Sequence, residues 1–312
     1  MTKRHVRLPV EAEEGLQAFL EDVDLRLSDP EDDTCQVVTE TLVDLFGDRE
    51  AYDRWQAGEE VSPAERVRLQ GYDPCNATLE SEYYAEKDED VFEESKYLQW
   101  LWRQFDATPM ADNVEFALRF RRMLADHLFA DCGEDCRFFK GISMTYGHNI
   151  EVGDNVVVHD DVHLDDRGQL TIGDRVSVSD GVHIYSHDHD IADQTEVTNY
   201  HTVIEDDVRL TYDAVVQAGC KVGENAVAGS RAVVQDDIPA HHIAVGAPAR
   251  SVKMKPDWES VAAPLDEDHE RGKADREIPY ELPDDLEQFD EFQRDRQPPE
   301  GPDATVDAVD DD

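Results

Sequence analysis

The chain has few positive charges and no long apolar run. Lys and Arg account for only 29 of its 312 residues, against 74 Asp and Glu, so the formal net charge is -45. A surface of this sign repels nucleic-acid phosphate and anionic lipid, which excludes both as partners. No stretch of about 18 apolar residues is present, and no apolar signal core follows the first residues. We therefore expect a cytoplasmic protein without a membrane span.

Lysine is scarce even among the basic residues, with eight in the whole chain. This balance is typical of proteins from a salt-rich cytoplasm, because a Debye length of about 3 Å at about 1 M salt screens the self-repulsion of an acidic surface. We expect a halophilic protein whose assembly dissociates or unfolds in dilute buffer.

Cysteine is also scarce, and its odd count does not indicate a disulfide framework. Cys132 and Cys136 are spaced for one helical turn and could share a metal ion, but no second Cys/His pair stands beside them in the sequence. Ordinary packing is the simpler interpretation, and we expect no metal. The five cysteines are Cys35, Cys75, Cys132, Cys136 and Cys220.

The two ends of the chain differ from its middle. Residues 1–80 form an acidic extension with helical patterns, and residues 81–145 are predicted to form a helical cap, since Leu98, Leu101, Trp102 and Phe105 recur at helical spacing. Residues 256–312 hold 21 acidic and five basic groups with seven prolines. Such composition predicts a disordered acidic tail over residues 254–312.

Between these ends, an aliphatic or small residue returns every six positions. A second apolar or small residue two positions earlier gives the in-and-out alternation of a strand, and turn sequences such as Gly153-Asp154-Asn155 separate the units. Three such units per turn can stack into a prism, which predicts a parallel β-helix of about four coils over residues 146–253. The recurring residues are Val152, Val158, Leu164, Ile172, Val178, Ile184, Ile204, Leu210, Val216, Val222, Ala228 and Val234.

Two insertions interrupt the six-residue count. Ile172 follows Leu164 by eight positions, and Ile204 follows Ile184 by twenty, where six is the regular spacing. Insertions in a solenoid lie on one face and often carry function. The longer insertion contains His187 and His189, which makes it the candidate functional loop.

Motifs around the repeats resemble those of the maltose/galactoside O-acetyltransferase family of hexapeptide-repeat proteins. They are Phe105-Asp106-Ala107-Thr108-Pro109, Tyr146-Gly147-His148-Asn149-Ile150 and Val245-Gly246-Ala247-Pro248-Ala249-Arg250. The resemblance implies a mainly β fold with a left-handed parallel β-helix, an α-helical N-terminal region and a homotrimer. It also implies that acetyl-CoA donates an acetyl group to a small acceptor, a sugar or sugar conjugate.

The family register also implies roles for individual residues. The catalytic histidine of the family falls on His189, although Asp188 and Asp190 replace its usual neighbours. Acceptor contacts fall on Thr145, His159 and Asp161. Contacts to acetyl-CoA fall on Gly229, Ser230, Ala232, Arg250 and Lys253.

The chemistry of acetyl transfer fits an imidazole in this loop. Attack of a hydroxyl on a thioester needs a base for the hydroxyl proton and donors for the developing oxyanion, and an imidazole titrates near neutral pH. His189 is the predicted base, and His187 is the alternative. No acyl-enzyme is needed, since the thioester is already activated.

Two other functions remain open from the sequence. The prism also resembles gamma-type carbonic anhydrases, in which histidines from neighbouring subunits share zinc, and the candidate ligands are His159, His163, His183, His187 and His189. A non-catalytic trimeric scaffold with acidic arms is the third hypothesis, against which the long histidine-bearing loop argues.

Overall fold

A computed structural model describes residues 8–191, 196–265 and 272–282. Its N-terminal part is helical, with α1 (Val10–Ser28), α2 (Thr34–Phe46), α3 (Arg49–Gln56), α4 (Pro63–Gln70), α5 (Glu89–Phe105) and α6 (Val114–Leu128). Short 3-10 turns lie at Pro74–Asn76, Glu80–Tyr83, Pro109–Asp112 and Lys273–Arg276. None of the helices in the described ranges combines the length and the apolar character that crossing a bilayer requires.

Aromatic packing joins the helices to the rest of the chain. The rings of Phe105 in α5 and Phe120 in α6 stack with centroids 4.3 Å apart. Trp102 meets Phe138 edge-on at 5.9 Å, and Phe138 belongs to the first turn of the β structure. The helices and the β structure therefore share one hydrophobic core.

The β structure is a parallel solenoid with three faces. The first face contains β1 (Asp131–Cys132), β4 (Ile150–Val152), β7 (Gln169–Ile172), β11 (Val197–Ile204) and β14 (Lys221–Val222). The second contains β2 (Arg137–Phe138), β5 (Val157–Val158), β8 (Ser177–Val178), β12 (Arg209–Leu210), β15 (Val227–Ala228) and β17 (His242–Val245), which β18 (Arg250–Met254) closes antiparallel. The third contains β3 (Ser143–Met144), β6 (His163–Leu164), β9 (His183–Ile184), β13 (Val215–Val216) and β16 (Val233–Val234).

The six-residue repeat lines the interior of this column, as predicted. All twelve recurring residues from Val152 to Val234 are buried, none with more than 2% of its surface exposed. The column has six turns rather than about four, since the second face holds six parallel strands. Its first turn begins at Asp131, inside the segment expected to be a helical cap. The aliphatic pattern did not reveal this turn, because Cys132, Phe138 and Met144 occupy its six-residue positions.

Acidic residues at one corner of the prism hold successive turns together. Asp154 Oδ1 accepts a hydrogen bond from the backbone N–H of Glu134 at 2.7 Å. Asp174 Oδ1 accepts from Asp154 N–H at 2.9 Å, and Asp206 Oδ1 accepts from Asp174 N–H at 3.0 Å. At several corners, the residue after this position has a left-handed backbone conformation, as the turn sequences predicted. Its φ is 56° at Asn155, 56° at Arg175, 60° at Asp207 and 58° at Asn225.

The long insertion forms a β-hairpin on the outside of the column. β10 (His187–His189) pairs antiparallel with the first part of β11, with His187 opposite Asn199 and His189 opposite Val197. β11 then continues into the first face of the column, where it pairs with β7. The hairpin is therefore anchored directly in the column wall.

Part of the predicted disordered tail is ordered, which corrects that expectation. Residues 272–282 pack against the hairpin, and β19 (Glu277–Ile278) pairs antiparallel with β11. Residues 283–312 lie outside the described part of the chain.

The cysteines differ from expectation in one respect. A disulfide joins Cys35 in α2 to Cys75 in the first 3-10 turn, across 40 residues of sequence. An odd count argues against complete pairing of cysteines but does not exclude a single bond. Cys136 is buried, and its Sγ donates a hydrogen bond to the carbonyl oxygen of Gly153 at 3.1 Å.

Candidate active site

A cavity of about 620 Å³ lies between the helical region and the first three turns of the column. The column contributes Ser143, Thr145, His163, Asp165 and His187, and the helical region contributes Glu80, Ser81, Tyr84, Arg103 and Asp106. A concave space of this size with several converging polar groups is the usual form of a small-molecule site.

His187 and Asp165 form the centre of this cavity's polar wall. His187 Nδ1 lies 2.6 Å from Asp165 Oδ2, and the imidazole is about one fifth exposed whereas the carboxylate is buried. An ionised carboxylate at Nδ1 makes that nitrogen the protonated one, which leaves Nε2 as the basic nitrogen. The arrangement gives an orientated imidazole at the edge of a cavity.

Asp165 is held in place by several donors. Its Oδ1 accepts from Thr145 Oγ1 at 2.7 Å, and its Oδ2 accepts from the backbone N–H of Ser186 at 3.0 Å. Burial by itself raises the pKa of Asp165, but the hydrogen bonds from His187, Ser186 and Thr145 outweigh it and hold that pKa below its usual value. The carboxylate therefore stays ionised beside the imidazole.

Asp166, the next residue, points into the structure and caps a loop. Its side chain accepts backbone hydrogen bonds from Thr145 at 3.0 Å, Tyr146 at 2.8 Å and Asn149 at 3.2 Å. Complete burial, together with the nearby charge of Asp165, raises the pKa of Asp166 to about 7. The two adjacent carboxyl groups thus have different environments, and their pKa values are shifted in opposite directions.

Another part of the cavity wall comes from the segment before α5. Arg167 and Glu86 form an ion pair in which the two side chains are 7% and 4% exposed. The Arg167 guanidinium also lies over the ring of Tyr84, 3.9 Å from its centroid. Tyr84 lines the cavity, so this buried pair fixes part of the cavity wall.

The motif Phe105-Asp106-Ala107-Thr108-Pro109 at the end of α5 makes contacts that hold the helices and the column together. Asp106 pairs with the buried Arg121 of α6, and its Oδ2 accepts the backbone N–H of Gly141 at 2.8 Å. Thr108 Oγ1 donates to the carbonyl oxygen of Phe105 at 2.8 Å and ends the helix. The motif joins the helices to the first turn of the column.

The other histidines near the cavity have protein partners. His163 Nδ1 lies 2.9 Å from Ser143 Oγ, and burial lowers the pKa of His163. His183 Nδ1 lies 3.2 Å from the hydroxyl of Tyr185. Within the described ranges of one chain, no three histidines lie close enough together to share a metal ion. Cys35, Asp73 and Cys75 do lie that close, but the two cysteines are joined in the disulfide.

The predicted acceptor residues are divided between two places. Thr145 lines the cavity and bonds to Asp165. His159 instead stacks on the ring of Phe139, with centroids 4.9 Å apart. Asp161 lines a neighbouring cavity of about 470 Å³ against α6. The structure therefore brings only Thr145 together with the cavity histidine.

The predicted catalytic residue, His189, lies beside the cavity rather than in its lining. Its side chain is exposed, and its ring centroid lies 5.3 Å from that of His187 in an edge-to-face arrangement. Residues two positions apart on a strand project to the same side, which explains why register alone did not separate them.

The predicted acetyl-CoA residues lie on the last turns of the column. A side chain at Gly229 would place its Cβ 2.6 Å from Val245, Ser230 is exposed and Ala232 is buried. Arg250 pairs with Asp236 at 3.0 Å, and Lys253 is exposed on β18. This part of the surface combines small residues with exposed cations in an otherwise acidic protein.

Sequence reasoning missed Asp165, Arg167 and the wall formed by residues 80–86. The signal was present in the shorter insertion, where Asp165, Asp166 and Arg167 interrupt a run of buried repeats. Consecutive charges at that position have to be paired or hydrogen-bonded, which marks the insertion as part of a site. The contribution of Glu80 and Tyr84 carried no comparable signal.

Proteins named as acetyltransferases match about half of the chain. The protein SAV2555 of Staphylococcus aureus strain Mu50, named as an acetyltransferase, is 31% identical over 175 residues, which are 55% of this chain and 85% of that protein. WcaF of Escherichia coli K12, named as a colanic acid biosynthesis acetyltransferase, is 29% identical over 160 residues, or 51% of this chain and 88% of that protein. No family model matches the chain.

Solved structures of acetyltransferases also align with the chain. A maltose O-acetyltransferase from Clostridium difficile 630 aligns with a TM-score of 0.49 and 28% identity, over 58% of this chain and all of that one. The hexapeptide-repeat acetyltransferase VCA0836 of Vibrio cholerae, in complex with acetyl-CoA, aligns with a TM-score of 0.48 and 24% identity, over 54% of this chain and 89% of that one. With its column of six-residue repeats and its match to most of SAV2555, the chain belongs to the hexapeptide-repeat acetyltransferases.

Proposed function

We propose that the protein transfers the acetyl group of acetyl-CoA to a hydroxyl of a small polar acceptor, a sugar or sugar conjugate, with His187 as the general base. The observation that carries this proposal is the contact between His187 and the buried Asp165 at the wall of the 620 Å³ cavity. Sequence register favours His189, whereas the geometry favours His187, the alternative that shares its loop.

In the proposed mechanism, Asp165 keeps the His187 ring in one orientation and one tautomer. The acceptor hydroxyl gives its proton to His187 Nε2 as its oxygen attacks the acetyl carbonyl carbon of the thioester. The C–S bond then breaks, and the proton on Nε2 passes to the departing thiolate of coenzyme A. Base catalysis of this kind contributes about 10²–10⁴-fold to the rate.

Two structures of related fold support acetyl-CoA as the donor. VCA0836 was solved with acetyl-CoA, and a galactoside acetyltransferase was solved with coenzyme A. In this chain Gly229 and Ser230 lie on the last turns, where the Val245 side chain lies close to Gly229 and Ser230 is exposed. Arg231 and Arg250 are 73% and 63% exposed and are paired with Asp213 and Asp236.

These exposed arginines suit the phosphate groups of acetyl-CoA, because a phosphate can replace an exposed carboxylate partner at little cost. The end of the column lies two to three turns beyond β9, so at about 4.8 Å per turn it is about 10–14 Å along the column from His187. An extended donor lying along the column would therefore reach from the arginines to the cavity.

A thiol-release assay tests this function directly. Acetyl-CoA is supplied in high salt with a panel of mono- and disaccharides and, separately, with primary amines, and reactions without acceptor give the background. We expect acceptor-dependent thiol release with hydroxylated acceptors and an acetyl ester in the product by mass spectrometry. Thiol release with amines alone, or with no acceptor at all, would contradict the proposal.

A further inference from the structure

We propose that residues 272–282, here called the strap, position the hairpin that carries His187 for acetyl transfer, with Lys273 as the positioning residue. This inference rests on the proposed function, because it gives the strap a role only if the hairpin is catalytic. The segment lies in a region whose composition predicts disorder, yet its described residues contact both strands of the hairpin.

The strap adds a third strand to the hairpin. Ile278 pairs with Asn199 and Glu277 pairs with Tyr200, both in antiparallel register. Tyr280 Oη donates to the carbonyl oxygen of Val197 at 2.6 Å. Isolated two-stranded hairpins are marginally stable in water, so a third strand lowers the freedom of the strand that faces His187 and His189.

Arg276 anchors the strap to the column itself. Its Nη1 donates to Asp237 Oδ1 at 2.9 Å and to the carbonyl oxygen of Gly219 at 2.6 Å, and its Nη2 donates to Asp237 Oδ2 at 2.5 Å. The Arg276 and Asp237 side chains are 18% and 21% exposed. A bidentate, mostly buried pair of this kind fixes both position and orientation.

Lys273 connects the strap to the strand that bears the histidines. Its ammonium forms an ion pair with Asp188, which stands between His187 and His189, and lies 4.2 Å from the centroid of the Tyr200 ring. The Lys273 side chain is 19% exposed, and burial lowers its pKa. Asp188 belongs to β10 and Tyr200 to β11, so one side chain joins the two strands.

This arrangement has a consequence for the reaction rate. The His187 ring is held at Nδ1 by Asp165 on the column side, while its backbone lies on the hairpin. A shift of about 1 Å in a reacting group can cost about 10²-fold in rate, so loss of the Lys273 contact should lower turnover without removing the binding surface for acetyl-CoA.

Lys273→Met tests the role of the strap, with Lys273→Arg as the conservative variant. Lys221→Met is the matched control, since Lys221 pairs with Glu205 on the column surface. In Lys273→Met we expect kcat about tenfold lower, KM for acetyl-CoA within about twofold, and faster amide hydrogen exchange in residues 197–204. Lys273→Arg should recover most of both effects, and Lys221→Met should match the unmodified chain.

Unchanged kcat in Lys273→Met would overturn the inference, whether or not hydrogen exchange changes. A loss of kcat that Lys273→Arg does not restore, or that Lys221→Met reproduces, would also overturn it. Hydrogen exchange distinguishes failure of the positioning role of Lys273 from failure of the proposed acetyl transfer. If the unmodified chain transfers no acetyl group, the proposed function fails and the positioning role falls with it, while the exchange measurement still reports the strap contact.

Discussion

The imidazole of His187 and the carboxylate of Asp165 meet at 2.6 Å although 22 residues separate them in sequence. Asp165 follows β6 in the second turn of the column, and His187 follows β9 in the third, directly beside it in the same face. The pairing of β6 with β9 therefore brings the residues after β9 close to Asp165, and the hairpin that follows carries His187.

Asp165→Asn should lower kcat by about 10²-fold, because the amide neither fixes the His187 tautomer nor stabilises the imidazolium. KM for acetyl-CoA should change little, since Asp165 lies in the cavity and away from the last turns. Steady-state kinetics in high salt measures both constants. Asp135→Asn, at an exposed corner with φ of 57°, is the matched control and should keep full activity. Equal kcat for the two variants would exclude the proposed role of Asp165.

Glu86→Ala should destabilise the folded chain by about 3–5 kcal/mol, because it leaves the Arg167 guanidinium buried without its carboxylate. Asp112→Ala is the matched change in an exposed pair, in which the Lys140 and Asp112 side chains are 42% and 73% exposed, and should cost no more than about 1 kcal/mol. Denaturant unfolding in high salt gives both free energies. Similar values for the two variants would show that the Arg167 pair does not hold the cavity wall.

Asp166 should make the free energy of unfolding depend on pH. The folded chain keeps its proton to about pH 7, whereas the unfolded chain releases it near 3.8. Between these values the folded state binds the extra proton, so stability falls as pH rises, by at most about 4 kcal/mol, and this contribution is constant above pH 7.

Asp166→Asn cannot ionise, so this part of the pH dependence should disappear while the amide oxygen can still accept backbone hydrogen bonds. Denaturant unfolding of both proteins between about pH 4 and pH 8 measures the difference. Parallel curves would mean that another group is responsible.

Most of the column could be predicted from the sequence, because burial in a solenoid depends on a local period. Each residue from Val152 to Val234 in the six-residue series faces the interior through contacts with its own and neighbouring turns. The first turn was missed because Cys132, Phe138 and Met144 keep the period without aliphatic character. The six-residue pattern was therefore sufficient to predict the turns in which aliphatic or small residues occupy the repeated positions.

The parts that could not be predicted depend on contacts between distant residues. Arg167 meets Glu86 across 81 residues, and Lys273 meets Asp188 across 85. Neither pairing follows from periodicity or composition. The preference for His187 over His189 had the same limit, because both project from one strand and the contact of His187 with Asp165 joins residues that are distant in sequence.

Comparing His187→Ala with His189→Ala, under the conditions in which the unmodified chain transfers acetyl groups, decides which imidazole is the general base. With unfolding midpoints matched, we predict that His187→Ala lowers kcat by about 10²–10⁴-fold, as expected for loss of a general base, whereas His189→Ala stays within about tenfold of the unmodified chain. The reverse order, with turnover abolished in His189→Ala and retained in His187→Ala, would exclude His187 as the general base.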